Sequence, residues 1–246
     1  MSNSTPASIT FERTDIVPPY IESACKDIAD YYSKKENQTS KNISNICRII
    51  KQSKRWDKEN LKKELDTWYK LAVRTTSKEC VDLVYAAYDS CRTTKDIHKL
   101  RGYLVEALTI AAYGGSKVLG TDGYGWGALV KIQKEELTTE VKYVCADKKA
   151  EECKNRSTVD FGYWNGNFGS FYECKANPIR IGCKEIKYMV ELGESLNEEK
   201  VDHKLFFMCP ETADSVRIRL KKLGIDEQFV PIGYDNLFSH KTSSDS

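Results

Sequence analysis

Three charged residues in one short apolar stretch are spaced for metal-assisted chemistry. The stretch runs Val-Asp-Phe-Gly-Tyr-Trp (159–164), Asn-Gly-Asn-Phe-Gly (165–169) and Ser-Phe-Tyr-Glu-Cys-Lys-Ala (170–176). It reads as two apolar strands joined by a tight glycine-containing turn. Glu173 and Lys175 stand two apart, so on a strand they project to the same face. A hairpin brings Asp160 alongside them. Two carboxylates and a lysine converging on one sheet face make a divalent-metal site with a cation beside it, the equipment of phosphodiester hydrolysis.

Glu-x-Lys by itself decides little in a chain that is 30% charged. It recurs at Glu140–Lys142, Glu185–Lys187 and Glu198–Lys200, where a solvated surface explains it. Glu173 and Lys175 differ in lying between large apolar residues, where charge is costly unless paired or metal-bound. The bland alternative is that Asp160, Glu173 and Lys175 form a cross-strand ion pair without catalytic meaning. A rival set, Asp122 with Glu140 and Lys142, has its aspartate in a Thr-Asp-Gly-Tyr-Gly loop and a crowd of charges around it.

The elements that must position these residues follow from the apolar periodicity. Glycine is absent from residues 1–101, and helix-type spacing begins after Pro18-Pro19, near Tyr20, and continues to about residue 113. Glycines from Gly114 to Gly127 then mark turns and a loop. Strands are expected over 128–133, 140–146, 158–164, 170–176, 204–209 and 228–232, with helices over 184–196 and 213–223. Consecutive strands imply antiparallel pairing and interleaved helices imply crossovers. The expected fold class is therefore α/β, an α+β mixed sheet with flanking helices, preceded by an all-α N-terminal region. The expected division is a helical unit over 1–98, irregular in 1–18, a catalytic unit over 99–238, and a disordered tail over 239–246.

Asp160 on one strand, then Glu173-x-Lys175 on the next, resembles the PD-(D/E)XK nuclease superfamily, whose fold is restriction-endonuclease-like. The resemblance covers about residues 99–235. It implies a glutamate on the helix before the sheet, and Leu-Arg-Gly-Tyr-Leu-Val-Glu-Ala-Leu (100–108) offers Glu106. Many members carry Gln-x-x-x-Tyr after the lysine strand; this chain has Lys184 and Tyr188, a departure at the first position. The resemblance implies a Mg²⁺- or Mn²⁺-dependent endonuclease acting on DNA, with RNA as the alternative substrate. Asp160, Glu173 and the Cys174 carbonyl would hold the metal, with Glu106 a direct or water-mediated ligand. Lys175 would orient or deprotonate the attacking water. It further implies homodimerisation, a role in restriction or antiviral defence, and in some cases a helicase or ATPase partner. The competing expectation is a catalytically inactive nucleic-acid-binding or assembly subunit on the same fold.

The remaining features are plainer. A formal charge of +2 gives no argument for nucleic acid, so any basic surface must be local. Lys51, Lys54, Arg55, Lys58 and Lys62 recur at three- and four-residue steps and would share a face on a continuous helix, fit to grip phosphates or to meet solvent. Lys184 and Lys187 are further candidates for nucleic-acid contact. Nine scattered cysteines without a Cys-x-x-Cys pair indicate reduced thiols in a cytoplasmic setting rather than a disulfide framework or zinc site. No signal peptide and no membrane-spanning run is expected.

Overall fold

The computed structural model describes residues 7–145 and 155–240. Its described residues form seven strands and seven α-helices. β1 (Ser8–Arg13) is followed by α1 (Pro19–Ser33), α2 (Ser40–Gln52), α3 (Leu61–Ala72), α4 (Lys78–Asp89) and α5 (Thr94–Ala112). Then come β2 (Tyr124–Lys134), β3 (Leu137–Glu140), β4 (Thr158–Trp164), β5 (Phe168–Cys174), α6 (Cys183–Glu198), β6 (Asp202–Met208), α7 (Ala213–Leu223) and β7 (Val230–Ile232).

Local chemistry sets the helix starts. Thr39, Ser77, Thr93 and Thr212 each accept a backbone N–H from the first turn of the helix that follows. Thr93 and Asp96 complete a reciprocal capping box on α5, the helix that carries Glu106. Pro19 opens α1, where its missing N–H costs nothing.

The sheet is mixed, in the order β1-β2-β4-β5-β6-β7, with β3 pairing with the end of β2. β1 through β5 pair antiparallel, and β5, β6 and β7 run parallel. The parallel steps require crossovers, which α6 and α7 provide. One apolar cluster joins the five N-terminal helices to Trp126, Phe161, Tyr172, Phe206 and Met208 of the sheet. The second joins Val130, Phe171, Leu205 and Phe207 to Tyr188, Met189 and Leu192 of α6 and to Val216 and Leu220 of α7. Helices thus cover both faces.

Four expectations differ from the structure. Residues 8–13, expected to be irregular, form β1, whose Ser-Ile-Thr-Phe alternation is too short to stand out without its partner β2. The expected strand 140–146 ends at Glu140, and beyond it a lone bridge joins Tyr143 to Arg156; residue 146 lies outside the described residues. In the expected tail, 241–246 lie outside the described residues, but His240 packs on Tyr172 with Nε2 2.6 Å from its hydroxyl. The boundary expected at 98/99 falls inside α5.

Phe11 of β1 lies across two glycines, Gly125 of β2 and Gly162 of β4, and its ring stands 6.2 Å from that of Phe171. A Cβ on Gly125 would sit 2.6 Å from the Phe11 ring, and one on Gly162 would overlap it. Gly162→Ala should therefore lift Phe11 and destabilise the protein by about 1–3 kcal/mol, read as a lower urea midpoint at unchanged m value.

Candidate functional site

Phe161 of β4 lies opposite Tyr172 of β5, so the register carries Asp160 opposite Glu173 one step further on. The hairpin therefore brings together the two carboxylates predicted from the sequence. The Cys174 backbone N–H donates to Asp160 Oδ2 at 2.7 Å, which locks the aspartate to the neighbouring strand. Glu173 is fully buried, and its Oε1 pairs with the Lys175 ammonium. Glu173 and Lys175 thus form a pair, which Asp160 joins only through a further side chain.

Two residues that the sequence did not single out complete it. Arg156 Nη2 donates to Asp160 Oδ1 at 2.9 Å and to Glu173 Oε2 at 2.6 Å, so one guanidinium bridges both carboxylates. Its Nε donates to the Thr158 carbonyl, and its backbone exchanges two hydrogen bonds with Tyr143. The signal was present: Arg156, Thr158 and Asp160 follow the two-residue spacing of one strand face. Glu185 is the second. Its Glu-x-Lys spacing with Lys187 reads as solvated surface, yet it is 5% exposed and lies 3.4 Å from the Lys175 ammonium. Its place in the first turn of α6 favours a carboxylate.

Glu106 is buried beside this group but held by a different contact. Trp126 Nε1 donates to Glu106 Oε2 at 2.6 Å, and the Arg13 guanidinium lies 4.5 Å from the Trp126 ring centre. No hydrogen bond joins Glu106 to Asp160, Glu173 or Lys175 among the described residues. Burial pushes its carboxyl well up, and the Asp160 charge pushes further.

The group opens into a cleft of about 300 Å³ whose wall includes Asp15, Arg156, Asp160 and Lys184. Asp15, from the segment expected to be irregular, reaches the cleft because the backbone N–H groups of Thr14 and Asp15 both donate to the Gly127 carbonyl at 3.2 Å. Gly127 has φ +53°, and a Cβ there would lie 2.6 Å from that of Asp15, so both its backbone and its bareness admit the crossing. Partial desolvation and the Asp160 charge raise the Asp15 carboxyl. Lys184 stands at the mouth, 3.7 Å from Glu185.

Other expected residues lie elsewhere. Lys187 sits 5.7 Å from the Tyr143 ring centre. Glu140 and Lys142 pair with each other on the exposed β3 side, and Asp122 is exposed, so the rival set has no buried centre. The basic stripe is not one face. α2 ends at Gln52, a short 3-10 turn Ser53–Arg55 follows, and Lys58 turns away to donate to the Cys91 carbonyl at 2.6 Å.

Charge is unbalanced in this centre. Asp15, Glu106, Asp160, Glu173 and Glu185 are linked by contact or by field to Arg156, Lys175 and Lys184, and to Arg13, which is itself paired with Glu22. The cations gain: Arg156 and Lys175 are held above their usual range by Glu173 and Asp160, in spite of burial. The carboxylates are short of partners. Burial first, and Asp160 second, push Glu173 up to about 7 although Lys175 and Arg156 oppose the shift. Among the described residues no three Asp, Glu, His or Cys side chains are arranged around one metal-sized point.

No protein-family model, curated protein or solved structure matches the sequence. No helix among the described residues is long and apolar enough to cross a membrane.

Because the folded pKa of Glu173 lies above its ordinary 4.5, the native state binds the extra proton between about 4.5 and 7. Stability from the neutral carboxyl is present at the lower end and is lost as pH rises through about 7. Denaturant midpoints measured from pH 5 to 8 should fall for the wild type and stay flatter for Glu173→Gln; parallel curves would exclude Glu173 as the group responsible.

Proposed function

We propose that this protein is a metal-dependent endonuclease that hydrolyses phosphodiester bonds in DNA, on a restriction-endonuclease-like arrangement of the mixed sheet. The observation that carries this reading is the excess of carboxyl groups: five against four cations, of which Arg13 is already paired with Glu22, at the end of a hairpin beside an open cleft. A divalent cation would relieve that excess. The two carboxylates bridged by Arg156 have the hard oxygen chemistry that Mg²⁺ or Mn²⁺ selects, so the residues present fit the ion once the guanidinium moves off. Asp160, Glu173 and the Cys174 carbonyl would hold it, with Glu106 behind Trp126 as an outer carboxylate. Bound there, the ion would lower the pKa of water and polarise the phosphate.

The protein's own groups do the rest. Lys175, cationic and fixed between Glu173 and Glu185, orients the attacking water and offsets charge developing on the phosphate. Arg156, released from the carboxylates, offers a planar two-pronged donor to a phosphate oxygen. Lys184 at the cleft mouth adds a further cation in place of the glutamine of the resembling family. Homodimerisation, a defence role and a helicase or ATPase partner belong to the same proposal through the resemblance alone.

The bridging position of Arg156 favours one second reading, a catalytically inactive nucleic-acid-binding subunit in which the guanidinium permanently replaces a metal. Incubation with plasmid DNA, single-stranded DNA and structured RNA in Mg²⁺ or Mn²⁺ separates the two. A nuclease should cut, and Asp160→Ala, Glu173→Ala and Lys175→Ala should each reduce the rate by about two to four orders of magnitude. Cutting that survives all three would remove the site.

Arg156→Ala distinguishes the readings a second way. Removing one partner of a buried pair should destabilise the metal-free protein by about 3–5 kcal/mol. On the nuclease reading, millimolar Mg²⁺ restores most of the lost thermal stability, because the ion takes the vacated charge. On the inactive reading it restores none.

A further inference from the structure

The stripe of basic residues near the α2 terminus acquires a different meaning once the helix is seen to break. The 3-10 turn Ser53–Arg55 swings Lys54 and Arg55 out of the α2 line, and a cavity of about 650 Å³ opens between this turn, α2 and α3. Arg48, Lys51, Lys54 and Arg55 stand on its wall. Glu64 is the acid on that wall, and Lys51 is engaged by Glu211 at 3.1 Å. Arg48, Lys54 and Arg55 have no ion pair among the described residues.

Two further wall residues point to a ligand independently of charge. Asn45 and Trp68 are 4% and 5% exposed, and the Asn45 side-chain N–H₂ and the Trp68 indole N–H are buried without an acceptor. Buried donors left unpaired cost about 1–3 kcal/mol each, so a pair of them beside one cavity calls for an acceptor that the protein chain does not provide. Phosphate and base oxygens are such acceptors.

Lys54 also lines a smaller adjoining cavity, with Arg101, Arg180, Ala176 and Asn177. Arg101 spends only its Nε on the Ile50 carbonyl, at 2.7 Å, and Arg180 has no ion pair among the described residues. Ala176 and Asn177 directly follow Lys175. The basic surface therefore continues from the helical cavity, through Lys54, to the chain leaving the carboxylate centre. A compact ligand would need only the first cavity; a continuous cationic track matches an extended polyanion.

We infer that a single nucleic-acid strand leaves the Asp160–Glu173–Lys175 centre over Arg101 and Arg180, crosses Lys54, and seats its phosphates among Arg48, Lys51 and Arg55, with Asn45 and Trp68 donating to it. This assignment rests on the phosphodiester reading of that centre. It gives the N-terminal helices a substrate-holding role and sets the strand's direction of exit along the β5 end of the sheet.

The test is fluorescence anisotropy of the full chain with a labelled oligodeoxynucleotide of about 30 nucleotides in EDTA, where no cutting intervenes, across a salt series. Lys54→Glu with Arg55→Glu should weaken binding at least tenfold and lower the slope of log K against log salt by about 1.4, two strand phosphates at 0.7 each. Lys34→Glu with Lys35→Glu makes the same change of net charge on exposed residues off the track and should leave the slope unaltered. Trp68→Phe should weaken binding a few-fold at unaltered slope, and circular dichroism melts check that each variant is folded. Equal affinities and slopes for wild type and the Lys54/Arg55 variant would overturn the track. So would a mononucleotide that saturates the protein as tightly as the strand. Plasmid cutting in Mg²⁺ is read separately: cutting with an unchanged slope overturns the track alone, whereas a changed slope without cutting overturns the phosphodiester reading and leaves a strand-binding groove.

Discussion

The antiparallel pairing of β4 with β5 fixes everything that follows at the candidate site. Backbone hydrogen bonding decides which side chains face each other, and here it sets Asp160 against Glu173 in a nearly dry environment. Two carboxylates so placed repel strongly, and neither can be solvated in the usual way. The rest of the local structure answers that constraint. The Cys174 N–H and the Lys175 ammonium each take one carboxylate oxygen, and the Arg156 guanidinium takes one from each carboxylate. The α6 start brings Glu185 to balance Lys175 in turn.

The same pairing explains why so many elements meet at one end of the sheet. β2 borders β4 and carries Trp126, which holds Glu106 of α5. β1 borders β2, and the backbone beyond it crosses Gly127 to bring Asp15 to the cleft. Helical and sheet regions thus share one apolar cluster.

Much of the candidate site was legible because its logic is local. Asp160, Glu173 and Lys175 lie within 16 residues on a hairpin, and period-two alternation with a glycine turn is enough to set them on one face. α7 was recovered at both ends, 213 and 223, because an N-capping threonine precedes it and Gly224 in the left-handed region ends it. What escaped was non-local. Asp15 depends on a strand whose partner lies more than a hundred residues away. Glu185 looked like surface because a charged residue in the first turn of a helix is ordinary, and only tertiary packing buries it. Arg156 stood outside the apolar run that marked β4, so its even spacing from Asp160 carried no weight. The basic stripe shares a face only on an unbroken helix, and the chain breaks after Gln52.

The pairing of Ser8 with Gln133 has a kinetic side. Closing so long a loop costs entropy before any contact is gained, and folding slows as such non-local pairs accumulate. During synthesis the first strand emerges while its partner is still unmade, and the five helices between them can collapse first around their own apolar stripes. The acidic centre then forms only when the late hairpin arrives and the early strand closes over Gly125 and Gly162. A nascent chain therefore carries none of the assembled carboxylate cluster until most of its length exists, which separates the birth of the fold from the birth of its chemistry.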